Sequence, residues 1–161
     1  KSALAFVAPR GIGPTAWNAD RETHIRRRFM LLGQTLDGMR VWDTRRAIQS
    51  VRAIDGLETT SLRLRAKGDM AGIALYAALF EPRVERLVLY GLSRSHRQGP
   101  DFLNVLRVLD VPQAVAMVAE NSPVVIHQNG SRGWEYAIAI AIAEKLGWRD
   151  NIKIEPAADS G

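Results

Sequence analysis

The sequence predicts a three-layer α/β sandwich, with a mostly parallel five-stranded sheet and helices on both faces. Short apolar, β-branched segments alternate along the chain with longer segments in which apolar residues recur at helical spacing. Residues 84–90 are apolar almost throughout, which is typical of a strand covered on both faces of a parallel sheet. A repeated β-α-β order favours right-handed crossovers, and hence this architecture.

The predicted strands are short apolar segments bounded by glycine, proline or polar residues. In chain order they are residues 4–8, 61–66, 84–90, 124–127 and 152–155. The predicted helices show helical spacing of apolar residues and end near a glycine or a proline. They cover residues 37–54, 71–80, 101–120 with an interruption at Pro112, and 134–146. Residues 15–33 are arginine-rich and only weakly periodic, so we expect an irregular excursion with a single helical turn.

Length and composition predict one domain, residues 1–161. The chain is 47% hydrophobic and 24% charged, as is usual for a globular protein with a real core. Cysteine is absent, which excludes disulfides and thiolate metal sites. No apolar run approaches the roughly 20 residues that a membrane span requires, so we expect no membrane contact. Residues 1–8 are too short for a secretory signal, and the compartment stays open.

The basic charge balance raises the question of nucleic acid. The net charge is +5 and the pI is about 10.1, and clustered cations bind phosphate backbones. Here the charge is dispersed, and the one tight run is Arg26-Arg27-Arg28, followed at once by apolar residues. An arginine-rich balance of this kind fits surface ion pairing better. The sequence therefore does not favour a nucleic-acid partner.

A glycine-spaced turn, Gly68-Asp69-Met70-Ala71-Gly72, joins the second predicted strand to the following helix. This context is typical of the G-x-S-x-G nucleophile elbow, whose central residue stands exposed above a parallel sheet. Nearby backbone N–H groups then face the developing oxyanion. Met70 occupies the predicted apex. A thioether has no proton to give to a base and is a weak nucleophile towards an ester, so Met70 cannot replace the serine.

Two further segments accompany this turn. They are Pro9-Arg10-Gly11-Ile12-Gly13 after the first predicted strand and Val41-Trp42-Asp43-Thr44-Arg45-Arg46-Ala47 on the crossover helix. With these anchors, nearly the whole chain resembles the C-terminal part of the α/β-hydrolases, especially acetyl xylan esterase-like bacterial esterases. The resemblance implies a partial α/β-hydrolase fold, an ester hydrolase without a cofactor, and acylated carbohydrate or a small ester as substrate.

The resemblance also implies a degenerate catalytic triad. Met70 stands at the serine position. The acid would follow the fourth strand, where Asn129 cannot stabilise an imidazolium as a carboxylate does. The histidine would follow the last strand, but residues 156–161 contain none. The chain also starts at what resembles an interior strand, so we expect one domain of a longer multidomain protein. Its uncovered sheet edge would face a missing catalytic domain or a second copy.

A polar loop offers a possible replacement for the triad. Ser93, Ser95 and His96 lie in the loop after the third predicted strand, at the carboxyl edge of the sheet where ligands usually bind. Asp101 or Asp110 would orient the histidine. Adjacent serine and histidine residues rarely direct their side chains at one another, so the alternative is a loop that only caps the next helix.

The loop after the first predicted strand is a candidate anion site. Arg10 with Gly11 and Gly13 could present N–H groups and a guanidinium to an anionic group of a substrate. The alternative is a tight turn in which Arg10 pairs with a carboxylate such as Asp43.

The two remaining histidines do not predict a metal site. His24 lies in the arginine-rich excursion and His127 at the end of a strand, and neither has a second ligand at metal spacing. We expect a surface role for His24 and a strand-end role for His127.

Three functional hypotheses follow. The first is a C-terminal α/β-hydrolase-like domain of an ester hydrolase that is non-catalytic alone and serves as a scaffold or interaction surface. The second is an active esterase with Ser93 or Ser95 as nucleophile and His96 as base. The third is an anion or nucleic-acid binding module that uses Arg10 and residues 26–28.

Overall fold

The described residues form a sheet of four parallel strands, whose spatial order is their order in the chain. The computed structural model describes residues 3–81, 84–128 and 136–156. The strands are β1 (Leu62–Lys67), β2 (Val84–Tyr90), β3 (Val124–Gln128) and β4 (Ile152–Pro156). Each pairs in parallel with the next. Among the described residues β1 and β4 therefore form the two edges of the sheet.

The predicted strand at residues 4–8 is not formed, so the described residues make a sheet of four strands and the prediction of five is wrong. These residues belong to no strand or helix. Leu4 and Phe6 are 81% and 91% exposed. An apolar run becomes a strand only when another strand satisfies its backbone N–H and C=O groups, and no described strand pairs with it.

Five α-helices of 9 to 17 residues and several short 3₁₀ turns make up the helical part of the described residues. They are α1 (Ala19–Leu31), α2 (Leu36–Arg52), α3 (Asp69–Phe80), α4 (Val111–Ala119) and α5 (Ala137–Leu146). The 3₁₀ turns are Gly13–Thr15, Val105–Arg107 and Arg149–Asn151. None of these helices is both long and apolar enough to cross a membrane.

Helix α1 replaces the single helical turn predicted for the arginine-rich stretch. The Asn18 side chain accepts a hydrogen bond from the Arg21 N–H at 2.8 Å, and Asp20 and Glu22 lie in the first turn. These are standard N-terminal signals. No residue of α1 is buried, so the helix lacks the apolar stripe on which the sequence prediction relied.

Helix α4 begins ten residues later than the predicted helical stretch. Asp110 is its N-cap and forms a capping box with Gln113. Pro112 falls in the first turn, where a missing N–H costs no helical hydrogen bond, so it starts the helix instead of interrupting it.

Helices α3, α4 and α5 pack on one face of the sheet, so the prediction of helices on both faces is wrong for these crossovers. Successive strands lie side by side in chain order, and right-handed crossovers then place α3, α4 and α5 on the same face. The contacts agree, because α2 packs on α3, α3 on α4, and α4 on α5 in a single layer. The described architecture therefore has two layers.

The other side of the sheet, here called the open face, carries alternate residues of the four strands. Along β1, Arg63, Arg65 and Lys67 are exposed, while the intervening residues are half-buried beneath the helices. The residues of the open face are Arg63, Arg65, Lys67, Arg86, Val88, Tyr90, Val125, His127, Lys153 and Glu155.

The core lies between the sheet and the helical layer. Helix α3 is its centre: residues 71–78 are all buried, because α2 and α4 flank the helix and β1 and β2 lie beneath it. Leu87, Leu89 and Ile126 project from the strands into the same cluster and have no exposed surface.

Candidate functional site

A cleft of about 550 Å³ opens at the carboxyl ends of β1 and β2. Five segments line it: residues 11–16, α1, the start of α2, the turn from β1 into α3, and the loop after β2. It brings together several predicted site residues that are far apart in sequence, namely Gly11, Gly13, Asp69, Met70 and Ser93. Ligands of open α/β sheets bind at this end of the strands.

The turn from β1 into α3 has Gly68 at its apex. Gly68 adopts φ 61° and ψ −133°, and α3 begins at the next residue. Its N–H donates to the Tyr90 carbonyl at 2.8 Å. A Cβ built at this position would meet no atom within 4 Å. The structure thus places an open, glycine-favouring conformation at residue 68.

The sequence prediction placed Met70 at the apex, whereas Met70 lies inside the first turn of α3. The second glycine of the motif has a different task from the first. A Cβ on Gly72 would approach Pro100 Cδ to 2.6 Å, so this glycine lets α3 pack closely against the loop after β2. The turn is therefore centred on Gly68 and not on Met70.

Ser95 and His96 do not face each other. The Ser95 hydroxyl donates to Asp110 Oδ2 at 2.7 Å, and the His96 backbone N–H donates to Asp110 Oδ1 at 2.7 Å. Asp110 also caps α4 by accepting from the Val111 N–H. This is the arrangement of the alternative interpretation, in which the polar loop caps the following helix.

The His96 ring is buried and both of its nitrogens are occupied. Nδ1 lies 2.7 Å from the Pro100 carbonyl, which can only accept, so Nδ1 carries the proton. Nε2 then accepts from the Tyr76 hydroxyl at 2.5 Å. Phe102 packs against both rings. His96 is a satisfied core residue, and neither ring nitrogen is available to Ser95.

The pKa directions agree with these hydrogen bonds. Partial burial raises the pKa of Asp110, but donation from Ser95, His96 and Val111 outweighs it and the pKa falls below its usual value. Burial, together with the charge of Asp110, raises the pKa of the Tyr76 hydroxyl. Tyr76 therefore keeps its proton and remains the donor to His96.

Arg10 pairs with Asp43, as the alternative interpretation of the first loop requires. Its Nε and Nη2 donate to the two carboxylate oxygens at 2.8 and 2.6 Å, and its backbone N–H adds a third bond at 3.1 Å. Partial burial raises the pKa of Asp43, but these bonds lower it overall. A Cβ on Gly11 would lie 2.6 Å from the Trp17 ring, so packing alone accounts for this glycine.

A network of charged residues lines one wall of the cleft and was not predicted. Arg26 Nη1 lies 2.8 Å from Asp101, and Arg40 Nη1 lies 3.3 Å from Asp37. The Asp101 N–H donates to Asp37 at 2.8 Å, and Glu22 lies 3.3 Å from Arg26 Nε. These residues come from α1, α2 and the loop after β2, so no local pattern could reveal them. Asp101, which the sequence offered as an acid to orient His96, pairs with Arg26 in this network instead.

The other histidines lie apart from the cleft. His24 is exposed on α1. His127 lies on the open face, stacked on the Tyr90 ring with centroids 4.5 Å apart, and its Nδ1 is 3.7 Å from Glu155 Oε2. Within residues 3–81, 84–128 and 136–156, no group of three or more histidines and carboxylates could hold a metal ion.

Two predicted positions lie outside the described residues. They are the position of the acid after β3, at Asn129, and residues 157–161 after the last strand, where the histidine would be expected.

The sequence matches no protein-family model and no curated protein. Among solved structures, the chain is similar to a crystal structure of a Bacteroides fragilis protein provisionally named as an acetyl xylan esterase. The TM-score is 0.67 at 13% sequence identity, and the match covers 92% of this chain and 45% of that protein. The likeness supports an esterase-like α/β fold, and this chain spans less than half the length of that neighbour.

Proposed function

We propose that this chain is an α/β-hydrolase-like domain of an ester hydrolase that does not hydrolyse esters by itself. It acts as a scaffold or interaction surface for a catalytic part, which is carried by the same protein or by a second copy. Acylated carbohydrate is the substrate class of the assembled enzyme. The fold of the neighbour provisionally named as an acetyl xylan esterase supports this class.

The observation that carries the proposal is the glycine at the apex of the β1–α3 turn. Gly68 has the backbone conformation and the free space that an exposed nucleophile needs, but it has no side chain. Covalent ester hydrolysis requires an activated hydroxyl, thiol or carboxylate at such a point. The turn retains the geometry of a nucleophile elbow without the reacting group.

The replacement pair in the loop after β2 does not favour the active-esterase hypothesis. A general base must lie within hydrogen-bond reach of the hydroxyl that it deprotonates. Ser95 instead donates to Asp110, and His96 is held between Tyr76 and the Pro100 carbonyl. Turning His96 towards Ser95 would break both ring hydrogen bonds in a buried place.

The test is hydrolysis of p-nitrophenyl acetate by the purified chain, compared with a protein-free blank and a mock purification. The variants are Ser93→Ala and Ser95→Ala, and Ser50→Ala on the exposed side of α2 is the matched control. We expect no turnover above the blank in any sample. Turnover that is lost in Ser93→Ala or Ser95→Ala but kept in Ser50→Ala would establish the active-esterase hypothesis. Turnover kept by all three variants would also contradict the proposal, because it would require another nucleophile.

A further inference from the structure

A groove of about 330 Å³ lies between α2 and α3 and shares no lining residue with the cleft at the strand ends. Its volume is at the small end of the range of ligand pockets, about 300–1,000 Å³. Most of the lining is apolar or aromatic and comes from Val41, Trp42, Tyr76, Phe80 and Phe102. The groove therefore has the size and the lining of a site for a small apolar group.

Two large aromatic rings on neighbouring helices stand exposed in this groove. Trp42 of α2 is 47% exposed and Phe80 of α3 is 57% exposed. An arginine lies over each ring: the Arg46 guanidinium is 4.9 Å from the Trp42 ring centroid, and the Arg45 guanidinium is 5.1 Å from that of Phe80. Such cation–π contacts stabilise the positions of the rings. Exposed apolar surface with a polar rim is typical of a binding surface.

The two ends of the groove differ in chemistry. At one end Phe102 packs against Tyr76, with ring centroids 4.7 Å apart, and lies next to Gly38 of α2. At the other end Arg45 lies beside the Phe80 ring. Gly38 and Arg45 are seven residues apart on one helix, which is about 10 Å. The groove is thus aromatic at one end and cationic at the other.

Arg45 is held in place and has donors left for a ligand. Its Nε donates to Glu81 Oε1 at 2.9 Å, and Gln49 Nε2 donates to the same oxygen at 2.7 Å. The hydrogen bonds among the described residues leave Nη1 and Nη2 of Arg45 unused, and its side chain is 34% exposed. Arg46 donates to the neutral Gln49 side chain, so two guanidiniums stand against one carboxylate at this end. A guanidinium of this kind favours a carboxylate ligand.

The lining does not suit a sugar. The hydroxyl groups of a sugar need hydrogen-bond partners when they leave water. The polar side-chain groups of the lining are the Arg45 guanidinium, the Trp42 indole N–H and the Tyr76 hydroxyl. The Tyr76 hydroxyl is already engaged by His96. A flat apolar group with one negative charge fits this lining better, because it needs few polar partners.

We propose that this groove binds a small aromatic carboxylic acid. The ring of the ligand packs among Trp42, Phe80 and Phe102, and its carboxylate accepts hydrogen bonds from Nη1 and Nη2 of Arg45. This inference goes beyond the proposed function and does not depend on ester hydrolysis. It gives the chain a small-molecule site on its helical layer, separate from the cleft at the strand ends.

The probe for the experiment is 2-naphthylacetate, which has a two-ring aromatic group and one carboxylate. Two control ligands separate these parts: 2-naphthylacetamide has the rings without the charge, and acetate has the charge without the rings. Binding is measured by NMR titration of the isotope-labelled chain, in which backbone amide and indole N–H shifts also locate the site. We expect a Kd of about 1 mM or below for the acid and binding of the amide about fivefold weaker or more. Acetate should not bind measurably, and shift changes should centre on residues 38–45 and 76–80.

The chain variants test the ring contact and the charge contact separately. Phe80→Ala removes an exposed ring of the groove, and Phe6→Ala removes an exposed ring elsewhere as the matched control. We expect Phe80→Ala to weaken binding of the acid about tenfold and Phe6→Ala to leave it within about twofold. Arg45→Gln keeps a donor for Glu81 but loses the charge, so it should weaken the acid about fivefold and leave the amide unchanged. Arg28→Gln on the exposed side of α1 is its control, and circular dichroism shows whether each variant is folded.

Four results of the titrations would overturn the proposal. They are no shift change at about 10 mM acid, an amide that binds as tightly as the acid, equal losses in Phe80→Ala and Phe6→Ala, and shift changes centred on the cleft at the strand ends. Sedimentation velocity without ligand tests a second copy as the occupant. Dimerisation that Trp42→Ala abolishes would assign the groove to self-association and would also overturn the proposal. Turnover in the esterase assay would contradict the proposed function and leave these measurements unchanged.

Discussion

The two faces of the sheet are built from alternate residues of the same strands, yet their chemistry is opposite. Leu87 points under the helices and has no exposed surface, while its neighbour Val88 lies on the open face. The helical face gains its stability from buried apolar area. The open face carries basic side chains together with the stacked rings of Tyr90 and His127. The difference shows which side of the sheet holds the described fold together.

The largest expected effect is the loss of stability on truncating Leu87, compared with truncating its neighbour Val88. Leu87→Ala removes a fully buried side chain and should lower the free energy of unfolding by about 3–4 kcal/mol. Val88→Ala truncates a half-buried side chain on the open face. It should lower the free energy of unfolding by about 1 kcal/mol or less. Urea unfolding of both variants measures the difference. Equal losses would mean that the open face is as well packed as the helical face.

The next effect tests how tightly the helical layer packs. Gly72→Ala would force a Cβ to within 2.6 Å of Pro100 Cδ. The resulting strain should lower the free energy of unfolding by about 2 kcal/mol. Helix propensity alone gives the opposite sign, since alanine is favoured over glycine by about 1 kcal/mol inside a helix. A stabilised Gly72→Ala variant in thermal unfolding would therefore contradict the close approach.

A smaller effect concerns the polar link between the loop after β2 and α4. Folding lowers the pKa of Asp110 below its usual value. In the unfolded chain an aspartate has a pKa of about 3.9. Its stabilisation is therefore present above about pH 4 and is lost as the pH falls through the folded pKa.

The variant Asp110→Asn should lower the free energy of unfolding by about 1 kcal/mol at neutral pH and lose this part of the pH dependence. Urea unfolding at several pH values between about 3 and 7 measures it. Ser95→Ala removes one of the three donors and should reduce the pH dependence without abolishing it. A constant gap between wild type and Asp110→Asn across this range would rule out the link.

The smallest expected effect is on the open face itself. Arg86→Glu/Lys153→Glu changes two exposed side chains and should alter the free energy of unfolding by less than about 0.5 kcal/mol. Thermal unfolding of the purified chain alone checks this value. A loss above about 2 kcal/mol would show that these cations support the fold, and would remove the contrast between the two faces.

Local pattern predicted most of the regular structure. Strand β2 has the predicted bounds, and β3 and β4 differ from the predictions by one residue each. β2 and β3 each contain three or four consecutive apolar residues, and β4 alternates apolar with charged residues, so the local pattern identifies all three. Their parallel direction also followed from the alternation with helices.

The predictions that failed concern features that depend on contacts between distant segments of the chain. Residues 4–8 have strand composition but no described pairing partner. The one-sided helical layer did leave a trace in the sequence: the alternation of leucine or alanine with arginine or lysine along β1 has the period of two typical of a sheet with one exposed face. The apolar run of β2 concealed this signal.

The candidate site remains a prediction, and its contacts could not be read from the sequence. The loops at the carboxyl edge do converge on one cleft. The sequence alone does not decide between Asp110 and His96 as the partner of Ser95, because both residues belong to the same segment between β2 and α4. The spacing of Gly68 and Gly72 likewise fits more than one apex, and only the backbone angles distinguish Gly68 from Met70.

The agreement between strand order and chain order also has a consequence for how the chain folds. Each of β1, β2 and β3 pairs with the strand that follows it, so within the described residues no strand is inserted between two earlier ones. Pairing consecutive strands closes shorter loops than pairing distant strands and therefore costs less loop entropy. During synthesis, β1, α3 and β2 can assemble while β4 is still inside the ribosome. The domain can thus grow from its N-terminal end one strand and one helix at a time.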